Sequence, residues 1–136
     1  MKTAIIIVNW NGRELTQQCL AGLSKFEPNA SIYLVDNGST DGSADYLKTL
    51  FPSVTLIRSS TNLGFGGGNN LGIERALKDG YDAVFLLNND KKIEKIEKDY
   101  GAYKRKAREI IKQEKENIKN QPFPYFINNL LIFHLP

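Results

Sequence analysis

The chain is poor in the residues that build disulfide frameworks and histidine-based catalytic sites. Its 136 residues include one cysteine, Cys19, and one histidine, His134. A single cysteine cannot form a disulfide or a cysteine-based metal site within one chain, and it is typical of a reducing cytosol. A lone histidine near the carboxyl terminus gives no Ser-His-Asp arrangement and no histidine-ligated metal.

Long hydrophobic runs are also missing. The opening apolar run covers only residues 4–8, which is shorter than the core of a signal peptide. No stretch of the sequence approaches the roughly 20 apolar residues of a membrane span. We therefore expect a cytoplasmic protein, with peripheral attachment to the inner face of the membrane as an alternative.

The excess of positive charge is confined to one part of the chain. Residues 1–90 hold seven Lys and Arg against nine Asp and Glu, whereas residues 91–136 hold eleven against six. The net charge of +3 therefore comes from the second segment. Apolar residues recur there every three or four positions, which predicts a basic amphipathic helix over 91–120 followed by an apolar tail. Such a helix is more often a solvated face than a nucleic-acid site, so we expect no nucleic-acid partner.

Four short apolar runs of strand character each end in a polar cluster. The runs are 4–8, 32–35, 54–57 and 83–87. They predict strands over 4–8, 31–36, 54–58 and 83–88, with helices between them over 13–26, 43–50 and 66–79. This alternation predicts an α/β fold with a parallel sheet and helices on both faces. Because parallel strands end at one edge, the four polar clusters should meet there, and that edge is where open α/β sheets bind ligands.

The cluster after the fourth run, residues 88–90, ends in Asp90. Mg²⁺ beside a diphosphate usually takes one or two carboxylates together with phosphate oxygens and water. Asp90 is therefore a candidate metal ligand, with a helix cap as the alternative. After the second run, Asp36 and Asn37 could bind a base or ribose hydroxyls, or they could form an Asx turn with Gly38.

The cluster after the third run is rich in glycine and amides. Glycines allow close approach of a backbone, and a helix amino terminus favours phosphate. A G-x-G-x-x-G fingerprint would need glycine at position 69, which is Asn69, and would belong after the first strand. We therefore exclude a dinucleotide fingerprint, and no P-loop motif is present. Trp10, after the first run, could stack on a base or cover the end of the sheet.

Together these clusters resemble the motifs of family 2 glycosyltransferases, which have the GT-A nucleotide-sugar-binding fold, and especially of their rhamnosyltransferase-like branch. The matching segments are 7–12, 35–43, 62–72 and 86–90. The resemblance implies a GT-A-like three-layer sandwich with strand order 3-2-1-4 and an inverting transfer from a nucleoside-diphosphate sugar, either dTDP- or UDP-linked.

The resemblance also implies roles for individual residues. The nucleoside would lie near Asn9, Asp36, Asn37 and Arg58. The diphosphate and a divalent metal, Mg²⁺ or Mn²⁺, would lie at Asn88, Asn89 and Asp90, the counterpart of the family's DxD motif, with Asp90 as the retained acid. We expect the matching-segment residues Asn11, Asn62, Gly66 and Gly67 to contribute to nucleotide binding as well.

The motif resemblance ends at Asp90, which divides the chain into a nucleotide-sugar-binding half, 1–90, and the basic helix with its apolar tail, 91–136. No segment after Asp90 resembles the acceptor cleft or the downstream carboxylate that acts as general base. Three hypotheses follow: a transferase acting on a saccharide or lipid-linked acceptor, a truncated remnant that binds a nucleotide sugar without transfer, and a membrane-surface or interaction module. We expect the tail to cover the edge of the fourth strand, within one chain or in a homodimer.

Overall fold

The protein is described by a computed structural model that covers residues 1–90, 93–117, 126–127 and 130–135. Strands and helices alternate through the first 87 residues, as the sequence predicts. The strands are β1 (Thr3–Asn9), β2 (Ser31–Asn37), β3 (Thr55–Ser59), β4 (Ala83–Leu87), β5 (Phe126–Ile127) and β6 (Leu130–Leu135). The helices are α1 (Arg13–Phe26), α2 (Ser43–Leu50), α3 (Gly64–Lys78) and α4 (Ile93–Asn117).

The first four strands form a parallel sheet in the order β3-β2-β1-β4, which confirms the predicted topology. Register places Asn9 of β1 beside Asp36 of β2, and Asp36 beside Arg58 of β3. The polar residues that end these strands therefore lie at one level of the sheet. This level is the carboxyl edge, where the parallel strands terminate.

Two further strands extend the sheet beyond β4. β6 pairs with β4 in parallel, and β5 pairs with β6 antiparallel. β6 therefore occupies the edge of β4 that the sequence analysis expected the tail to cover. This protects the backbone N–H and C=O groups of β4, which would otherwise invite pairing with another chain.

The sheet is buried on both faces. Along β1, Ile5 and Ile7 join the core beneath α1, α2 and α4, whereas Ala4 and Ile6 join the core beneath α3. Continuous apolar strands of this kind are typical of parallel sheets covered by helices on both sides. The result is the predicted three-layer sandwich.

Helix α3 lies close to β1 because two of its residues are glycines. A Cβ atom at Gly68 would lie 2.9 Å from Val8 Cγ1, and one at Gly72 would lie 2.5 Å from Ile6 Cγ2. The helix begins at Gly64, earlier than the predicted residue 66. Just before it, the side chain of Asn62 accepts a hydrogen bond from the backbone N–H of Gly64 at 2.8 Å. It ends at Lys78, and Gly80 follows with φ of 79°, as expected for a glycine after a helix carboxyl terminus.

Helix α4 packs on the same face as α1. Tyr100 is buried between the rings of Phe26 and Phe85, with ring centroids 6.2 and 5.0 Å away, and Ala107 is fully buried. Positions 91–92 and 118–120, also predicted to be helical, lie outside the described residues. None of the helices in the described part of the chain is long and apolar enough to cross a membrane.

Candidate functional site

An open cavity lies at the carboxyl edge of the sheet, between the end of β4 and the start of α3. Its volume is about 260 Å³, and it is lined by Val8, Phe65, Asn88, Asn89 and Asp90. Asp90 is exposed, whereas Asn88 and Asn89 are half-buried. The triplet that ends β4 therefore faces the glycine-rich turn across a space that a small polar ligand could enter.

The amide of Asn9 is a buried junction at this edge. Asn9 is completely buried, and its Nδ2 lies 2.8 Å from Ser43 Oγ and 3.1 Å from Asp36 Oδ1. Ser39 Oγ is a third, longer acceptor at 3.3 Å. Asn9 thus joins β1 to β2 and α2, and its side chain is occupied by protein groups. The predicted nucleoside contact by Asn9 stays a prediction, and the observed geometry gives it a positioning role.

The same network continues to β4 through Thr16 of α1. The Thr16 hydroxyl donates to Asn9 Oδ1 at 2.8 Å and accepts from Asn89 Nδ2 at 2.9 Å. Thr16 is completely buried. A hydrogen-bonded path therefore runs from Asn89, beside Asp90, to Asp36 at the end of β2.

Asp36 is nearly buried, with 5% of its surface exposed. One carboxylate oxygen accepts from Asn9, and the other accepts from the backbone N–H of Ser39 at 3.3 Å. The sequence analysis left open a turn role and a ligand role for this residue. These contacts show the turn role; the ligand role remains a prediction.

The loops after β1 and β2 are tied to each other by Asn11. Its backbone N–H donates to Ser39 Oγ at 2.9 Å, and its Oδ1 accepts from the backbone N–H of Thr40 at 2.9 Å. Asn11 also adopts a positive φ of 46°, a conformation that asparagine tolerates better than most residues. Trp10, the preceding residue, is 55% exposed. The indole is thereby left accessible above the end of β1.

The amide of Asn37 holds the glycine-rich turn in place. Asn37 Oδ1 accepts from the backbone N–H of Leu63, and Nδ2 donates to Asn62 Oδ1 and to the carbonyl oxygen of Gly64, all within 3.1 Å. Asn37 is 2% exposed. Gly66 lies beyond this clamp with open space around the position of a Cβ atom, whereas one at Gly67 would meet Leu63 Cβ at 2.7 Å. The first turn of α3 is therefore held by the side chain of Asn37, and its Gly66 side is open to solvent.

Arg58 lies at the register level of Asp36 but points to α2. Its guanidinium forms an ion pair with Asp45, and both side chains are largely exposed. The structure thus brings the candidate residues together in three groups: the network of Asn9, Asn11 and Asp36; the clamp of Asn37 and Asn62 under Gly66 and Gly67; and Asn88 with Asp90 at the cavity. Arg58 stands apart from all three in an ion pair on the surface.

The residues around the cavity suit one divalent cation held jointly with a ligand. Asn88 Oδ1 is buried and accepts no hydrogen bond from any residue that the structure describes. Among those described residues, no three His, Cys, Asp or Glu side chains group together as a self-sufficient metal site. One carboxylate and one amide oxygen leave positions for phosphate oxygens and water, which is the ligand set that Mg²⁺ prefers beside a diphosphate.

Cys19 takes no part in this chemistry. Burial raises the pKa of its thiol to about 12, and the negative charge of Asp90 adds to the shift. The thiol therefore stays protonated and inert near neutral pH. Cys19 is instead a small apolar contact in the core beneath α1.

Thr16 and Ser43 are site residues that sequence reasoning missed. Both are completely buried and hydrogen-bond the side chain of Asn9. The sequence signal that could have identified Thr16 is its spacing from the apolar residues of α1. It lies one helical turn before Cys19 and Leu20, on the buried face of α1, where a hydroxyl needs a polar partner.

A parallel sheet in this order, with helices on both faces and a polar carboxyl edge, agrees with a fold of the GT-A type. The chain belongs to glycosyl transferase family 2, whose sequence profile matches residues 4–129. That match continues past Asp90, where the recognisable motifs end.

Among curated proteins, the chain is similar to an undecaprenyl-phosphate mannosyltransferase from Micrococcus luteus. The two are 30% identical over 93 residues, which is 66% of this chain and 38% of the relative. The chain therefore spans well under half the length of that relative.

Proposed function

We propose that residues 1–90 bind a nucleoside-diphosphate sugar, dTDP- or UDP-linked, at the carboxyl edge, and that this is the donor half of an inverting glycosyl transfer. The observation that carries the proposal is the cavity between residues 88–90 and the start of α3. It joins an exposed carboxylate, an amide oxygen that has no hydrogen-bond partner among the described residues, and a helix amino terminus in one place.

The nucleoside end of the donor would lie over the loops that follow β1 and β2. Asn9 and Ser39 fix the carboxylate of Asp36 there, and the exposed indole of Trp10 offers a stacking surface of the kind that bases use. Asn11 ties the two loops together, so a base bound there would meet a preformed surface. Preorganisation of this kind lowers the entropy cost of binding.

The diphosphate end would lie in the cavity. Asp90 and Asn88 would hold Mg²⁺ or Mn²⁺, which supplies neutralisation of the diphosphate charge. The backbone of the first turn of α3, with Gly66 open to solvent, adds the positive end of a helix dipole. The clamp formed by Asn37 would hold this turn at a fixed distance from β4.

The acceptor side of the proposed transfer requires a general base. None of the acidic side chains described on α4 lines the cavity. Asp90 is the one acidic residue among the described lining residues and is assigned to the metal, so these residues offer no separate general base. The similar protein from Micrococcus luteus is named for mannosyl transfer to undecaprenyl phosphate, which favours a lipid-linked acceptor over a free saccharide. A donor-binding remnant without transfer is the second candidate, and it is favoured by the same lack of a base.

Calorimetric titration of UDP and dTDP, each with and without MnCl₂, tests the proposal. We expect at least one nucleotide to bind much more tightly with Mn²⁺, because the cation joins Asp90 to the diphosphate. Asp90→Ala should abolish the gain from Mn²⁺, whereas Glu74→Ala on the exposed face of α3 should retain it. Equal affinity with and without Mn²⁺ would contradict the metal assignment, and no binding in either condition would overturn the donor site.

Turnover then separates the two candidates. A transferase should release nucleoside diphosphate from a UDP- or dTDP-sugar in the presence of a lipid-phosphate acceptor, whereas a remnant should bind the sugar nucleotide and release nothing.

A further inference from the structure

The hydroxyl of Thr16 connects the two halves of the carboxyl edge. It lies on α1, whose other buried residues are apolar, namely Cys19, Leu20 and Leu23. A buried hydroxyl in such surroundings is costly unless it is hydrogen-bonded. Thr16 satisfies this requirement twice, by donating to Asn9 Oδ1 and accepting from Asn89 Nδ2, at 2.8 and 2.9 Å.

The direction of these bonds is fixed by chemistry. An amide N–H₂ can only donate and an amide oxygen can only accept, so the Thr16 hydroxyl must use its hydrogen toward Asn9 and a lone pair toward Asn89. The other end of Asn9 donates to the carboxylate of Asp36 at 3.1 Å. The path from Asn89 to Asp36 is therefore polarised in one sense and ends on a negative charge, which strengthens each bond in it.

The space around this path is closely fitted. A Cβ atom at Gly12 would lie 3.2 Å from Asn89 Nδ2 and 3.3 Å from Asn9 Oδ1. The glycine at position 12 therefore leaves just enough room for both amides to reach Thr16. Asn89 lines the cavity and directly precedes Asp90 in the chain, so the two residues share a peptide bond.

We infer that Thr16 is a positioning residue for the metal-binding triplet: by holding Asn89, its hydroxyl sets where Asp90 stands relative to the strand that carries Asp36. Thr16 touches neither the cavity nor a ligand and acts only through Asn89 and Asn9. The inference rests on the proposed function, and it assigns to the first helix a part in metal-dependent nucleotide binding.

Thr16→Val keeps the shape of the side chain and removes the hydroxyl, whereas Thr16→Ser keeps the hydroxyl. In titrations of UDP and dTDP, Thr16→Val should weaken binding in the presence of MnCl₂ by about tenfold, the effect of one well-placed hydrogen bond. Affinity without MnCl₂ should change by less than about twofold. Thr16→Ser should behave as the wild type, and so should the control Thr49→Val, which removes an exposed hydroxyl from α2.

A readout without ligand separates this inference from the proposed function. In the free protein, the side-chain amide protons of Asn89 should exchange with solvent faster in Thr16→Val than in wild type or Thr16→Ser, because their acceptor is gone. If the wild type shows no gain from Mn²⁺, the proposed function and the inference both fail. If the wild type shows that gain and Thr16→Val retains it, only the inference fails.

A purely structural role for Thr16 has a different signature. It would lower affinity equally with and without MnCl₂, or lower only the unfolding temperature, and either result would overturn the inference. Should Thr16→Val not fold, Asn89→Ala breaks the same bond from its half-buried end. In that variant, the increase in nucleotide affinity caused by MnCl₂ should also be about tenfold smaller than in wild type. An unchanged increase would overturn the inference.

Discussion

The two edges of the parallel sheet are built from different chemistry. At the amino edge, charged and aromatic groups close the structure: Tyr33 donates its hydroxyl hydrogen to Asp79 at 2.6 Å, and the Lys2 ammonium lies 4.2 Å from the centre of the Tyr81 ring. The backbone N–H of Lys2 also donates to Asp82 at 2.6 Å. At the carboxyl edge, neutral amides and hydroxyls surround the single buried carboxylate of Asp36.

The difference lies in what each edge leaves available. The charged groups of the amino edge meet protein partners, so this edge closes the base of the sheet. At the carboxyl edge, the buried amides hydrogen-bond to the loops of the edge itself. Asp90 and Trp10 are exposed there, and the buried Asn88 Oδ1 has no hydrogen-bond partner among the described residues. Loops held by hydrogen bonds, together with polar groups that have no partner in the part of the chain that the structure describes, suit this edge to binding a polar ligand.

The largest effect should come from breaking the junction of the carboxyl edge. Asn9→Ala removes the acceptor of the Thr16 hydroxyl and the donor to Asp36 Oδ1 and Ser43 Oγ, and all three residues are buried. We expect the free energy of unfolding to fall by about 3 kcal/mol, measured by urea denaturation. Asn70→Ala on the exposed face of α3 serves as the control and should change it by less than about 0.5 kcal/mol. A loss that small for Asn9→Ala would show that the network is not structural.

The next effect concerns the helix that links both edges, since α3 runs from the glycine-rich turn to Asp79. Gly72→Ala would place a methyl group 2.5 Å from Cγ2 of the fully buried Ile6, whose branched side chain has little freedom to move. We expect a destabilisation of about 2 kcal/mol by overpacking. Gly66→Ala, where a Cβ atom meets open space, is the matched control. Equal melting temperatures for both variants would contradict the close packing of α3 on β1.

Acid titration tests the amino edge. The hydrogen bond from Tyr33, with support from the charge of Arg75, holds the pKa of Asp79 below its ordinary value of 3.8. The stabilisation is therefore present above pH 3.8 and is lost as the pH falls through the lower folded-state pKa.

Asp79→Asn should consequently be less stable than wild type near neutral pH, and the difference should shrink as the pH falls through the lowered pKa of Asp79. Urea midpoints measured across this range give the comparison. Parallel pH profiles for the two proteins would show that Asp79 contributes no pH-dependent stability.

The smallest effect should come from Gly12→Ala. Its methyl group would sit 3.2 Å from Asn89 Nδ2, which is tight but tolerable for a half-buried side chain. We expect affinity for UDP or dTDP with MnCl₂ to fall about threefold, with little change in melting temperature. Leu15→Ala, an exposed change on α1, should leave affinity unaltered. An affinity for Gly12→Ala equal to that of wild type would mean that Asn89 has room to move.

The sequence predicts the sheet well because its signal is local. Continuous apolar runs such as 4–8 mark strands buried on both faces, and the polar clusters mark where they end. The strand order came from the family resemblance, since no local pattern encodes which strands are neighbours.

The details of the site depend on contacts that are distant in the sequence. Asn9 reads as a ligand-binding residue by its motif, yet its amide is used by Ser43 and Asp36, which lie far along the chain. The ion pair of Arg58 with Asp45 is likewise set by tertiary structure. The sequence predicted that the tail covers the edge of β4, but not that it does so as a parallel strand. Of these contacts, only that of Thr16 has a signal in the sequence, because Thr16 is a polar residue on an apolar helical face.

Paramagnetic broadening by Mn²⁺ tests the contrast between the two edges most directly. With UDP or dTDP present, Mn²⁺ should broaden the backbone amide resonances of residues 88–90 and of the first turn of α3, and leave those of residues 79–82 sharp. Asp90→Ala should remove the broadening at the carboxyl edge. Broadening centred on Asp79 and Asp82 at the amino edge, with residues 88–90 unaffected, would contradict the account.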